Sequence, residues 1–279
     1  MSRMRHLFCP GLKREIALPE RIARAVSLSP SLTDTIFRLG LGDQLVGRSA
    51  WCHRPDAALA LPVAGSYTSV KQATLDVLDP DLILTVSGAP EKLAHRLVEE
   101  GHPVYQVPLP VSPWGILDTM AIVAAVMGRP ESASEPLAAL HTALAALHGC
   151  LPRLRTYVEI DLGGPVTIGP GSYIYWSLKW MGLDVITPEP GRAYATPDDA
   201  ALQQLAPGLV VYDPKPGRTI TRGDVLQRFV HRGLGAWFEA GARIVVTEGD
   251  VLAHSGPWFI EAGLPWIAGR IQAADAGPV

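Results

Sequence analysis

Trp51-Cys52-His53-Arg54-Pro55 is the most unusual local string in the chain. A thiolate and an imidazole could hold zinc or the iron of haem. Neighbours on an extended segment point to opposite faces, so Cys52 and His53 do not easily grip one ion, and their spacing matches no structural zinc pattern. A packed Cys52 with His53 at a rim is the plainer reading. His254 lies in Leu252-Ala253-His254-Ser255-Gly256-Pro257-Trp258, where it could ligate a metal axially or hydrogen-bond a ligand. Glu159 and Asp161, two apart on an expected strand, share a face and could form an acid–base pair. Arg192, Lys215 and Arg218 could meet ligand carboxylates, the arginines bidentately, against the alternative of a solvated basic loop. The Gly-rich run Gly163 to Ser172 precedes an expected helix, whose N-terminal amides would favour anions. It lacks the ending of a phosphate loop and the spacing of a dinucleotide fingerprint, so glycines permitting tight turns are the better reading. Ser29 and Ser31 have no nearby His–Asp pattern, so a serine nucleophile is unsupported. His95, His102, His141 and His148 read as surface residues.

These residues need elements to place them. Ala25 to Ser31 reads as a short buried strand running into a turn. Ser31 or Thr33 would cap the next helix, which runs to Leu39 and ends at Gly40. Leu45 to Gly47 is a second strand. Asp79-Pro80-Asp81 breaks the chain before the strand Leu82 to Thr85. A helix over 90–100, the strand Val104 to Val107 and an apolar helix over 116–127 follow. Glu131 to His148 reads as one long Ala- and Leu-rich helix, spanning roughly 27 Å at ~1.5 Å per residue. It could cross between two lobes or be an ordinary core helix. Strand–helix alternation then resumes to Thr247, which implies parallel α/β sheets.

With 279 residues, the chain is comfortable as two lobes of about 120–140 residues. A net charge of −3 gives no reason to expect nucleic acid or an anionic membrane. Three cysteines make no disulfide framework and suit a reducing compartment. The 48% hydrophobic content excludes disorder, and no apolar run approaches the ~20 residues of a membrane span. Pro10, Lys13, Arg14 and Glu15 interrupt any secretory core near the N-terminus, so the expectation is a cytoplasmic protein. A periplasmic or extracellular domain whose signal was removed is the alternative.

A weak internal repeat supports two lobes. Val26 to Ser31 resembles Val166 to Ser172, Leu39-Gly40-Leu41 resembles Met181-Gly182-Leu183, and Leu78 to Ile83 resembles Leu205 to Val210. The expected plan is an N-terminal tail over 1–20, an α/β lobe over 21–130, a linking helix over 131–150, a second α/β lobe over 151–274, and a disordered tail over 275–279. Two such lobes would leave a cleft, where small ligands bind.

The segments Val26-Ser27-Leu28-Ser29-Pro30-Ser31-Leu32-Thr33-Asp34, Leu39-Gly40-Leu41-Gly42-Asp43-Gln44-Leu45-Val46-Gly47 and Leu78-Asp79-Pro80-Asp81-Leu82-Ile83 resemble the helical-backbone substrate-binding proteins of ABC importers. That family includes proteins binding vitamin B12, haem and ferric siderophores. The similarity continues through Gly101-His102-Pro103-Val104-Tyr105 and Val158-Glu159-Ile160 to the segment around Asp250; order and spacing carry it more than any single motif.

The resemblance implies two α/β lobes with parallel sheets flanked by helices, bridged by one long backbone helix. It implies a carrier rather than an enzyme, with no intrinsic cofactor. The expected ligand is a small-molecule metal chelate: a cobalamin or other corrinoid, haem, or a ferric siderophore. It would contact Ser31, Trp51, Tyr67, Ser87, Tyr194, Asp250 and His254. The three aromatics would stack on a flat ligand and the polar groups would orient it. Family members usually dock on an ABC permease through one exposed Glu per lobe. Those positions fall on Ala73 and Ala200 here, which puts permease docking in doubt and points to a cytoplasmic relative that binds, buffers or senses its ligand. The alternatives are an enzyme on the same fold, with Glu159 or Asp161 as base or His254 as metal ligand, and a true importer component.

Overall fold

The computed structural model describes residues 3–88 and 91–275. It divides into two compact units, and the chain passes from the first to the second between His141 and Thr142.

The first unit opens with β1 (Met4–Cys9) and β2 (Arg14–Pro19), an antiparallel pair in register from Met4↔Pro19 to Cys9↔Arg14. The segment expected as a tail over 1–20 is therefore mostly a hairpin. In β2 the apolar Ile16 and Leu18 alternate into the interior, whereas in β1 Met4 and Phe8 stay exposed and Leu7 falls out of step with them, so only half of the pair carries the alternation that marks a half-buried strand. Tertiary contacts hold it. Arg5 donates to the carbonyls of Ala125 and Val126, which end a later helix, and Cys9 Sγ lies 3.3 Å from the Gln106 amide and 3.5 Å from its carbonyl. The hairpin thus covers hydrogen-bonding groups at the edge of the unit's sheet.

That sheet is built from β3 (Ala25–Ser27), β4 (Leu45–Ser49), β5 (Val63–Gly65), β6 (Leu82–Val86) and β7 (Val104–Val107). The order is β5-β4-β3-β6-β7, all parallel. Every residue of β6 is buried, as expected of a parallel strand covered on both faces. The flanking helices are α1 (Pro30–Arg38), α2 (Gln72–Leu78), α3 (Glu91–Glu99) and α4 (Pro113–Val126). Neither Ser31 nor Thr33 caps α1. The helix starts at Pro30, whose fixed φ suits the first helical position, and Ser29 takes the cap position.

The long helix expected over 131–148 is shorter. Residues Pro130–Ala133 form a 3₁₀ turn and α5 covers Ser134–Ala146. Pro136 falls in the first turn of α5, where a missing N–H does no harm. At the other end the amides of Leu147 and His148 bond three residues back, and Gly149 turns away at φ 61°.

In the second unit β8 (Arg155–Asp161), β9 (Pro165–Ile168), β10 (Asp184–Val185), β11 (Tyr194–Ala195), β12 (Leu209–Asp213) and β13 (Arg243–Val246) form one sheet of order β11-β9-β8-β12-β13, with β10 also paired to β8. The β10, β8, β12 and β13 pairings are parallel, while β9 and β11 add antiparallel strands at one edge. The helices are α6 (Tyr173–Trp180), α7 (Asp199–Leu202), α8 (Arg222–His231), α9 (Gly235–Glu239) and α10 (Leu264–Asp275), the last preceded by a π turn over Phe259–Gly263. A capping box between Thr221 and Asp224 starts α8. Its Phe229 packs with Tyr157, Tyr212 and Trp237 in an aromatic core, with ring centroids 5.3–6.5 Å apart for the contacting pairs. Asp275 closes α10; residues 276–279 of the expected C-terminal tail lie outside the described residues.

Candidate functional site

In open α/β sheets, ligands bind at the carboxyl ends of the parallel strands. Four expected contacts of the first unit sit there, one per strand. Tyr67 follows β5, Trp51 follows β4, Ser31 follows β3 and Ser87 follows β6. Since these strands are neighbours in that order, the structure brings the four residues to one edge of the unit.

Each is held by local chemistry. After β4 the chain alternates, so Trp51 points out, 47% exposed, and Cys52 points in, fully buried. Thr33 Oγ1 donates to Cys52 Sγ at 3.0 Å, and Ser49 Oγ lies 3.2 Å from the same sulfur. Burial pushes the Cys52 thiol up, against the pull of its hydroxyl neighbours, which fits a packed thiol rather than a reactive one. His53 turns its Nδ1 to the Trp51 carbonyl at 2.9 Å. Among the described residues no three of His, Cys, Asp and Glu gather as a metal set. Tyr67 is half-buried on a tight return, where the Ser66 amide donates to the Ser69 carbonyl at 2.7 Å. Gly65 makes that return possible, because a Cβ there would lie 2.4 Å from the Ser69 oxygen. Ser31 is buried with its hydroxyl 3.0 Å from that of Ser29, and Ser87 Oγ accepts the Leu109 amide at 2.9 Å.

In the second unit, Asp250 and His254 lie on the loop after β13, again beyond a parallel strand's carboxyl end. Asp250 adopts a left-handed backbone, φ 58°. His254 does not face solvent; its ring is buried, edge-on to Trp258 at 5.8 Å. Tyr194 comes from another place, opposite Ile168 in the antiparallel part of the sheet. Its hydroxyl accepts from Ser172 Oγ at 3.1 Å, and burial pushes the phenol up to about 12. The next residue, Tyr173, donates its hydroxyl to the Leu252 carbonyl. The start of α6 therefore ties Tyr194 to the loop carrying Asp250 and His254. Gly169 lets the 189–193 segment close on this turn, since a Cβ there would meet the Arg192 carbonyl at 2.1 Å.

The loop has a second anchor that sequence reading passed over. Asp213, buried at the end of β12, accepts from Thr247 Oγ1, from the Val251 amide at 3.3 Å and from the Leu252 amide at 3.1 Å. Burial pushes its carboxyl up to about 6 despite these bonds. An acid closing an otherwise apolar strand, Leu209-Val210-Val211-Tyr212-Asp213, was the available signal.

The other chemical candidates are occupied elsewhere. Glu159 accepts two bonds from Arg232 Nη1, at 2.8 and 2.9 Å, and one from the Tyr157 hydroxyl at 2.9 Å. Asp161 accepts the Gly163 amide at 3.0 Å and lies 3.5 Å from Arg228. Burial raises the Glu159 carboxyl, and Arg232 opposes it. Glu159 is thus half of a buried ion pair. Arg218 borders an open surface cavity of about 580 Å³ beside α8, with Asp224, Arg228 and His231. Ala73 on α2 and Ala200 on α7 are both exposed, and the neighbouring Asp199 accepts from Arg232 Nε at 2.8 Å. No described helix is long and apolar enough to cross a membrane.

Comparison with known proteins agrees with this fold. Residues 25–242 match the family described as periplasmic binding protein, and the chain belongs to that family. A "Cobalamin-binding protein" of Halobacterium salinarum is 29% identical over 172 residues, 60% of this chain and 47% of the relative. A "Vitamin B12-binding protein" of Yersinia pestis is 36% identical over 92 residues, 32% of this chain and 33% of the relative. The chain thus spans less than half the length of the curated relatives it matches. Among solved structures, the periplasmic vitamin B12-binding protein of Vibrio cholerae superposes with a TM-score of 0.72 at 17% identity, over 92% of this chain and 99% of that one. A possible iron-binding, periplasmic solute-binding protein of Staphylococcus epidermidis superposes at 0.74 and 20% identity, over 90% and 99%. These structures share the fold.

Proposed function

We propose that this member of the periplasmic binding protein family binds, without transforming it, a metal-containing or metal-chelating small molecule. A corrinoid is the first candidate, with haem and ferric siderophores next. The observation that carries this reading is the row of Tyr67, Trp51, Ser31 and Ser87 at the carboxyl ends of four adjacent parallel strands, with the indole of Trp51 held outward by the buried Cys52 beside it. The second unit gathers its own expected contact residues, with Tyr194 tied through the start of α6 to the loop of Asp250 and His254. A half-exposed indole offers a flat ligand an apolar face, and the serines offer hydrogen bonds.

Two relatives named for cobalamin or vitamin B12 favour the corrinoid. The engagement of Glu159 by Arg232 speaks against the alternative of an enzyme using that carboxylate. We further propose that the protein buffers or senses its ligand in the cytoplasm rather than delivering it to an ABC permease. Ala73 and Ala200, where the resemblance implies docking carboxylates, are exposed and uncharged, and Asp199 beside Ala200 already accepts from Arg232. Strong binding to a permease, or recovery of the protein from the periplasm, would sink that part and favour the importer alternative.

A thermal-shift panel of cobalamin, cobinamide, haemin and ferric siderophores tests the binding reading. A ligand that binds only the folded chain, at ~100 times its dissociation constant, adds about 2.7 kcal/mol. A shift with one chelate class supports the reading; none across the panel contradicts it.

A further inference from the structure

Arg48 is the second-last residue of β4 and retains only 9% of its surface. Gly47 before it faces Val26, Ala64 and Leu78, so strand alternation turns Arg48 to the other face of the sheet. There Nη1 donates to the Ser49 carbonyl at 3.0 Å, while Nε is buried and has no acceptor. Among the described residues no carboxylate forms an ion pair with it. Ser27 of β3 lies opposite it in the sheet. Arg48 lies close enough to Cys52 to act on that thiol electrostatically, and Ser49, Thr33 and Ser27 follow in a chain of contacts at 2.8–3.2 Å. Such dipoles do not balance a guanidinium, which carries five donors and a permanent charge. A buried charge with no counter-charge is costly, and an anion brought by a ligand would offset that cost. The position is also informative: Arg48 sits one residue from the strand's carboxyl end, and the Trp51 amide donates to the adjacent Ser49 hydroxyl at 3.2 Å.

We infer that Arg48 recognises an oxyanion, a phosphate or carboxylate group, carried by the ligand that Trp51 contacts. This rests on the binding reading above and adds to it: the ligand is anionic at that corner, and affinity depends on the anion as well as on the flat chelate. Guanidinium groups suit this task because their planar fork meets two oxygens at once.

The test uses the full chain with ¹⁵N-labelled arginine. The Arg48 Nε–H resonance is assigned by its loss in Arg48→Lys, and chloride is replaced by inorganic phosphate at constant ionic strength. Saturable movement of that resonance is expected. Two ligand pairs then locate the anion: cobalamin against cobinamide, which lacks the phosphodiester, and haemin against its dimethyl ester. In the pair that binds, the anionic member should bind about tenfold more tightly, and Arg48→Met should abolish that preference. An Arg48 resonance unmoved by phosphate and by every chelate that binds would overturn the inference, as would a preference that survives in Arg48→Met. If chelates bind without involving Arg48, only this inference fails. If phosphate moves Arg48 and no chelate binds, the chelate reading fails and Arg48 serves a free anion.

Discussion

Asp213 gives a prediction whose size follows from its surroundings. Its carboxyl sits near 6 in the folded chain against an ordinary value of 3.8, a rise caused chiefly by burial and only partly offset by bonds from Thr247, Val251 and Leu252. The folded state therefore holds this proton more tightly than the unfolded chain. The resulting stability is fully present below pH 3.8 and is lost as pH rises through about 6. At about 1.4 kcal/mol per pH unit, with titration in the unfolded chain allowed for, the gain between pH 7 and about pH 4.5 is roughly 2 kcal/mol. Asp213→Asn keeps the size and one acceptor but cannot titrate. Urea unfolding of the two chains across this range should show the wild type gaining about 2 kcal/mol over the variant on acidification. Parallel pH profiles would refute the argument that this carboxylate is held buried at the base of the 247–254 loop.

Three further outcomes follow. Trp51→Ala should weaken ligand binding by about tenfold or more while leaving the melting temperature nearly unchanged, because the half-exposed ring contributes little to the core; calorimetric titration beside a thermal melt checks both. Arg232→Met should destabilise the chain by about 3–5 kcal/mol, because Glu159 is left buried without its cation, as denaturant unfolding would show. Gly169→Ala should lower the melting temperature and weaken ligand binding together, because its Cβ would lie 2.1 Å from the Arg192 carbonyl and push the Tyr194 segment away.

Much of the architecture was legible because its signals are local. Asp79-Pro80-Asp81 before an apolar run announces β6, and the run Leu209 to Asp213 announces β12. The similarity of Leu78–Ile83 to Leu205–Val210 lands on strands in corresponding places, each between two parallel neighbours. The similarity of Val26–Ser31 to Val166–Ser172 does not: β3 lies inside a parallel sheet, whereas β9 is antiparallel to both its neighbours. A strand–turn–helix pattern is encoded in a few residues, but a strand's neighbours are chosen by contacts distant in sequence. The same limit hid the β1–β2 hairpin, whose anchors are Ala125, Val126 and Gln106.

For the candidate site, the resemblance singled out Trp51, Tyr67, Ser31 and Ser87, and the parallel order brings these four to one edge of the first unit. What the sequence could not show is which polar residues are already engaged. Glu159 and Asp161 looked like a pair for chemistry until Arg232 and Arg228 were found against them. Arg48 drew no reading from the sequence, yet it is buried without an ion pair among the described residues. Burial and pairing are tertiary properties, and the local pattern around each of these residues is silent about them.

The most direct test of the central claim is isothermal titration of the full chain with cobalamin, haemin and ferric siderophores, followed by mass analysis of the ligand recovered from the complex. The account predicts saturable binding of one chelate class and recovery of that ligand chemically unchanged. Binding of none of them, or recovery of an altered ligand, would contradict it.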